Sequence, residues 1–214
     1  MNINSWEETW GTINWYKGSE EEIKQKIIDF YHAGVDFNMK DENTIGELMP
    51  LDFAARLSSV DIINLLIDGG ADINLTDKHG WTPLHWAAHV GKTQNVKYLI
   101  EHGPRNFVNK QEECGWTALH LAARTMHAET AKALIEEGAD INIKTKAGLM
   151  DDAYTVLDIA DKWGYTNVKE IVQNAAQIRS DYLNTHSEDS LSQTITVSSA
   201  KLDTTSLIVN QKTR

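Results

Sequence analysis

The sequence predicts an all-α solenoid of about five helix-turn-helix units with finger loops, followed by a disordered C-terminal tail. Three observations predict it. First, Asp77-Lys78-His79-Gly80-Trp81-Thr82-Pro83-Leu84-His85-Trp86-Ala87-Ala88 returns as Glu112-Glu113-Cys114-Gly115-Trp116-Thr117-Ala118-Leu119-His120-Leu121-Ala122-Ala123. Weaker copies stand at Met49-Pro50-Leu51-Asp52-Phe53-Ala54-Ala55 and Thr155-Val156-Leu157-Asp158-Ile159-Ala160. Second, the anchoring residues Leu51, Leu84, Leu119 and Leu157 follow one another at intervals of 33, 35 and 38 residues. Third, the step from Leu51 to Gly70, Leu84 to Gly103 and Leu119 to Gly138 is always 19 residues, whereas the spacer back to the next anchoring leucine varies from 14 to 19. The constant part must be packed and the variable part solvent-facing, because insertions are tolerated in loops and not inside a stacked core.

The first unit, residues 5–40, reads as a degenerate cap. Ser5-x-x-Glu8 and Ser19-x-x-Glu22 have capping-box form, so helices are expected over about 5–16 and 20–33. Trp15 precedes Gly34 by the same 19 residues. Trp6, Trp10 and Ile13 share one face of the first helix, and either pack the cap onto the next unit or form a binding patch. Gly11 weakens that helix by about 0.5–1 kcal/mol relative to alanine.

Full units follow at 41–73, 74–108 and 109–143. Thr82 and Thr117 are placed as N-caps, with Pro83 or Ala118 at the first helical position. The pairs Ala54-Ala55, Ala87-Ala88 and Ala122-Ala123 let that short helix approach its neighbours closely. A break at Gly91 or Gly164 precedes a second helix with apolar residues at helical spacing: Ile63, Leu66, Ile67; Val96, Leu99, Ile100; Val168, Ile171, Val172. Gly70, Gly103 and Gly138 close it as C′ residues. The unit at 144–176 has the longest finger, through the insertion Leu149-Met150-Asp151-Asp152-Ala153-Tyr154, so its contacts do not transfer by register. From 177 to 214 the composition changes: 12 of the 30 residues from Thr185 to Arg214 are Ser or Thr without a helical period, which predicts disorder.

The pattern resembles the ankyrin repeat, whose signature Gly-x-Thr-Pro-Leu-His-x-Ala-Ala is complete at Gly80–Ala88 and nearly so at Gly115–Ala123. The resemblance covers roughly residues 41–174 and implies hairpin-like fingers beside a concave face lined by the short helices. It also implies where partners touch: finger tips, the exposed end of the first helix, and the residue before the closing glycine. Carried over, these are Lys78, His79, Trp81, His89, Val90 and His102 in one unit, Glu113, Cys114, Trp116, Arg124, Thr125 and Glu137 in the next, and Arg56 and Leu57 before them. Trp86 is excluded, its place being that of a framework leucine. Trp81 and Trp116 occupy identical positions and either stand side by side as binding hot spots or fold back over the loops. The sequence departs from the pattern at Ser58 and Met126, where a turn glycine is expected. Asp52 and Asp158 replace the framework histidine, and Pro104-Arg105 replaces Ala-Asp.

Catalytic chemistry finds no foothold, and no catalytic, cofactor-binding or metal-ligating residue is assigned. His85 and His89 have the i, i+4 spacing of a helical zinc pair, but Trp86 stands where a zincin needs glutamate, and His85 fills the family's structural histidine position, as does His120. Glu112 and Glu113 should raise the Cys114 thiol pKa rather than activate it. No glycine-rich phosphate loop is present, and Asp151-Asp152 reads as solvated loop.

The formal charge of −11 disfavours a nucleic-acid binder. All of it belongs to residues 1–174, with 16 Lys and Arg against 27 Asp and Glu, so a partner protein with a neutral or basic surface is expected. The single cysteine excludes an internal disulfide framework, no run is long enough to span a bilayer, and no basic n-region with an apolar stretch opens the chain. The expected protein is a cytoplasmic, monomeric, non-enzymatic interaction scaffold. Its Asn-, Ile- and Lys-rich composition also looks like that of ankyrin proteins of intracellular bacteria, which suggests a host-delivered effector. An enzyme-associated unit or a self-assembling repeat is a further alternative. Leu207-Ile208-Val209 reads as a recognition peptide, a translocation signal or plain tail.

Overall fold

Paired helices succeed one another along the chain in a computed structural model that describes residues 5–44, 46–147 and 152–186. No strand is present among the described residues. A 3-10 turn at Trp10–Thr12 and α1 (Glu20–Ala33) form the first unit. The pairs that follow are α2 (Pro50–Leu57) with α3 (Val60–Asp68), α4 (Pro83–His89) with α5 (Thr93–His102), α6 (Ala118–Arg124) with α7 (Ala128–Glu136), and α8 (Val156–Trp163) with α9 (Thr166–Gln173). A last helical run, α10, spans residues 175–186. The even-numbered helices α2, α4, α6 and α8 touch in an inner row, and α1, α3, α5, α7 and α9 touch in an outer row.

One core runs through all of it. Leu51, Leu84 and Leu119 are fully buried in the inner row, and Leu157 is half-buried against the same core, being in its last member. The paired alanines at 54–55, 87–88 and 122–123 are also fully buried, so the inner helices meet backbone to backbone. Ile63, Leu66, Val96, Leu99, Val168 and Val172 are buried from the outer row, as their spacing requires.

Each inner helix opens with its N-cap N–H held by the side chain three residues on, and in α6 and α8 the threonine hydroxyl returns the bond. The Thr82 N–H donates to His85 Nδ1 at 3.1 Å and the Thr117 N–H to His120 Nδ1 at 3.2 Å. Asp52 and Asp158 keep this half of the framework histidine's work, accepting from the Met49 and Thr155 N–H groups at 2.9 and 2.8 Å. With Nδ1 accepting, each histidine has Nε2–H free to reach the next finger, and it does: His85 to the Trp116 carbonyl at 3.3 Å and His120 to the Tyr154 carbonyl at 3.2 Å. The shorter Asp52 has no such reach, and its Oδ1 is buried without a partner.

Several turns differ from expectation. Gly70 and Gly138 close their helices with positive φ, but Gly103 is extended, at φ −83° and ψ 167°. Pro104 is the cause, since a proline disfavours helical backbone in the residue before it. Met126 takes the left-handed conformation of the missing glycine, at φ 60°, whereas Ser58 is extended and its turn has no left-handed residue. In the cap, α1 follows the Ser19–Glu22 box as expected, but residues 5–16 form turns and one 3-10 turn instead of an α-helix. There Ser5 Oγ donates to Glu7 instead of capping a helix. Trp10 is drawn edge-on against Phe30 and Phe37, 4.9 Å from each, while Trp6 and Trp15 pack on Phe53. These tryptophans are buried, so they are cap packing and not a binding patch.

The segment expected to be disordered from 177 begins as helix. Ala175 is buried, Ile178 packs on the core, and the Tyr182 hydroxyl donates to Glu137 at 2.6 Å, which gives α10 an anchor that composition does not reveal. Residues 187–214, including Leu207-Ile208-Val209, lie outside the described residues, as do Gly148 and the first half of the fifth finger's insertion, 149–151.

Candidate docking face

The fingers are joined edge to edge. The Lys78 N–H donates to the Gly46 carbonyl, Glu113 N–H to the His79 carbonyl and Lys146 N–H to the Cys114 carbonyl, at 2.8, 3.3 and 2.8 Å. Gly115 is required in this ladder: its φ is +81°, and a Cβ there would lie 2.6 Å from the Lys146 nitrogen. The finger residues just before each threonine cap are therefore held at matching positions beside the inner helices.

Counting from the anchoring leucines exposes a regularity. Three positions before them stand Leu48, Trp81, Trp116 and Tyr154; five positions after them, at the exposed ends of α2, α4, α6 and α8, stand Arg56, His89, Arg124 and Lys162. The two series meet. Arg124 lies over the Trp116 ring, 5.2 Å from its centroid, and Lys162 lies 4.4 Å from the Tyr154 centroid and 5.4 Å from that of Trp163. In the α4 layer Trp81 packs on Trp86 at 4.6 Å and on His89 at 5.3 Å, and Arg56 lies 5.4 Å from the Trp86 centroid. Such cation–π contacts keep aromatic faces and charged heads together at a surface.

Of the residues proposed for contact, the structure brings Arg56, Trp81, His89, Trp116 and Arg124 into this row. Trp116 is not an exposed tip: it is 8% exposed and clusters with Leu121 and Ile159, because the ring folds back under Arg124. Trp81 is half-buried in the same cluster. Leu57 and Val90 are half-buried nearby, and Thr125 turns its hydroxyl back to the Leu121 carbonyl. Lys78 and His79 are exposed at the finger, Lys78 in an ion pair with Glu47 at 3.2 Å. Glu113 is exposed and Cys114 half-buried. His102 and Glu137 sit apart on the outer side, His102 stacked on Tyr98 and Glu137 engaged by Tyr182.

Trp86, excluded by register, belongs to the row: it is half-buried and its indole N–H donates to Asp77 Oδ2 at 3.2 Å. Tyr154, Lys162 and Trp163 were also missed. Their signal was the count backward and forward from Leu157, which the insertion does not disturb because it ends at Tyr154, before the Thr155 cap.

The titrating groups follow burial. His85 and His120 are pushed down to about 4, chiefly by desolvation. His89 is lowered by burial and then by the neighbouring Arg56, His127 and Arg124. Burial, then Glu112 and Glu113, push the Cys114 thiol up, which opposes nucleophilic use. Both His85 ring nitrogens are engaged, so His85 and His89 do not form a metal pair. Among the described residues no group of three or more His, Cys, Asp or Glu could hold a metal ion, and no helix is long and apolar enough to cross a membrane.

A family profile described as ankyrin repeats, three copies, matches residues 19–111, 51–145 and 105–182. The chain belongs to the ankyrin repeat family. Its similarity to individual ankyrin proteins is local. Over 51 residues it is 43% identical to protein phosphatase 1 regulatory subunit 12A of Mus musculus, covering 24% of this chain and 5% of that protein. Over 46 residues it is 46% identical to the RelA-associated inhibitor of Mus musculus, covering 22% and 6%. Over 92 residues it is 37% identical to neurogenic locus notch homolog protein 2 of Homo sapiens, covering 42% and 3%. The chain thus spans only a small part of the length of these relatives. Ankyrin repeats generally mediate protein–protein interaction.

Proposed function

We propose that this ankyrin array is a non-enzymatic scaffold that holds a partner protein against its inner helices and finger bases. The observation that carries the reading is the row of cations laid on aromatic faces from Arg56 to Lys162, since tryptophan, tyrosine and arginine are the residue types that dominate binding energy at interfaces. The names of two similar proteins, a regulatory subunit and an inhibitor, support a role exerted through contact. The lone cysteine suits a reducing, cytoplasmic setting.

Affinity capture tests the reading when the wild type is run beside Arg56→Glu/Arg124→Glu. Substituting Trp116 would be a poor probe, because its ring is buried and its loss disturbs the fold. Capture should be lost in the double variant and kept in Lys132→Glu on α7, where the lysine is exposed on the outer row. Equal capture by all three chains would overturn it.

A further inference from the structure

Resting on the docking reading above, we infer that the inner face takes an acidic, extended segment of a partner protein, with its carboxylates in register with Arg56, Arg124 and Lys162. Net charge argues the other way, toward a basic partner, but net charge averages over a surface. Charges farther apart than about 8 Å are largely screened at physiological ionic strength, so the local arrangement decides. Locally the face is cationic. Arg56, Arg124 and Lys162 form no ion pair with any carboxylate among the described residues. Three acids of the same layers are already occupied. Asp77 is buried and accepts from the His79 and Trp81 N–H groups and the Trp86 indole. Asp158 accepts from the Thr155 cap, and Asp161 pairs with Lys169. The two guanidinium groups therefore keep unspent capacity, and the Lys162 ammonium, which donates to the Tyr154 hydroxyl, has further N–H donors for a carboxylate.

The spacing defines the ligand further. Packed helices lie about 8–10 Å apart and an extended chain advances about 3.3 Å per residue, so one unit corresponds to about three peptide residues. Arg124 and Lys162 are on adjacent inner helices, whereas Arg56 and Arg124 are two apart, with His89 between. His89, held toward its neutral form by burial and by the flanking Arg56, His127 and Arg124, sits edge-on to Trp81 and Trp86. That layer suits an apolar or aromatic residue. The segment is thus acidic at its first, seventh and tenth positions and apolar at its fourth, with bidentate carboxylate contacts available at the two guanidinium groups. A nucleic acid is disfavoured: three cations on an acidic body give little counterion release.

The test is fluorescence anisotropy with three fluorescein-labelled probes: the peptide just described, the same peptide with lysine for each acid, and oligothymidylate. The acidic peptide should bind, more weakly as salt rises, and Arg56→Glu/Arg124→Glu should weaken it by at least about tenfold while Lys132→Glu does not. Circular dichroism of each variant confirms that the fold is kept. Tighter binding of the lysine peptide or of oligothymidylate, or an acidic peptide indifferent to the double variant, overturns the inference. Should the variant still abolish capture from lysate while the acidic peptide fails, only the partner's chemistry is wrong; if capture also survives, the docking face itself is wrong.

Discussion

His85 Nε2 lies 3.3 Å from the carbonyl oxygen of Trp116 in the following unit, while its Nδ1 accepts the Thr82 N–H that opens its own helix. One buried imidazole therefore caps a helix and ties two fingers together. His85→Ala removes both bonds and leaves the Thr82 N–H unsatisfied, while the Trp116 carbonyl keeps the Glu112 N–H at 2.9 Å, so a loss of roughly 1–3 kcal/mol is expected in urea denaturation. His120→Ala should behave alike through the Tyr154 carbonyl. A loss near zero would show that the inter-finger bond contributes nothing.

Both imidazoles are pushed down to about 4 by burial. The unfolded chain, with histidine near 6.5, takes up protons first as pH falls. Their contribution is thus fully present above about pH 6.5, declines from there toward pH 4 and is lost below it, at roughly 3 kcal/mol or less for each. Denaturation midpoints across this window should fall more gently in His120→Asn than in the wild type.

Asp52 shows the opposite sign. Burial first, and then Asp77, push its carboxyl up to about 8. The stability it contributes is complete below the unfolded value of 3.8 and is lost as pH rises toward 8. An asparagine side chain has no proton to lose over this range. Asp52→Asn should therefore stabilise the protein by roughly 1–3 kcal/mol at pH 8 and by almost nothing near pH 4. A gain that does not change with pH would contradict this account.

Met126 is 64% exposed and holds φ 60° in the turn between α6 and α7. Glycine at this position removes the left-handed strain and sacrifices little packing. Met126→Gly should raise stability by about 0.5–1 kcal/mol, read as a shift in the urea midpoint at unchanged slope.

Phe53 lies between Trp6 at 5.9 Å and Trp15 at 5.7 Å, joining the cap to α2. Phe53→Ala should cost about 3–5 kcal/mol, and tryptophan fluorescence should report cap opening before the helical signal is lost. Simultaneous loss of both signals would mean that the cap and the array unfold as one unit.

The repeats were legible because stacking demands the same residue at the same step in every unit: Leu51, Leu84 and Leu119 are buried as their period requires. The cap's first segment was not, because Trp10 answers to Phe30 and Phe37, far away in sequence, and not to the capping box at Ser5. Nor was the fate of Trp116. A tryptophan before a threonine cap can stand out or fold back, and Arg124, brought near only by the fold, covers it. Glu137 was assigned to partner contact for want of any sign that Tyr182 would reach it.

Period, capping chemistry and the pairing of helices within each unit are local properties, set by residues a few positions apart, and the amino-acid order alone determined them. The row from Arg56 to Lys162 aligns residues of successive units that stand 33 to 38 residues apart along the chain. Arg124 meets Trp116 and Lys162 meets Tyr154 within one unit, eight residues apart, but Arg56 meets Trp86 of the next, and only stacking could decide that pairing and the burial of each ring.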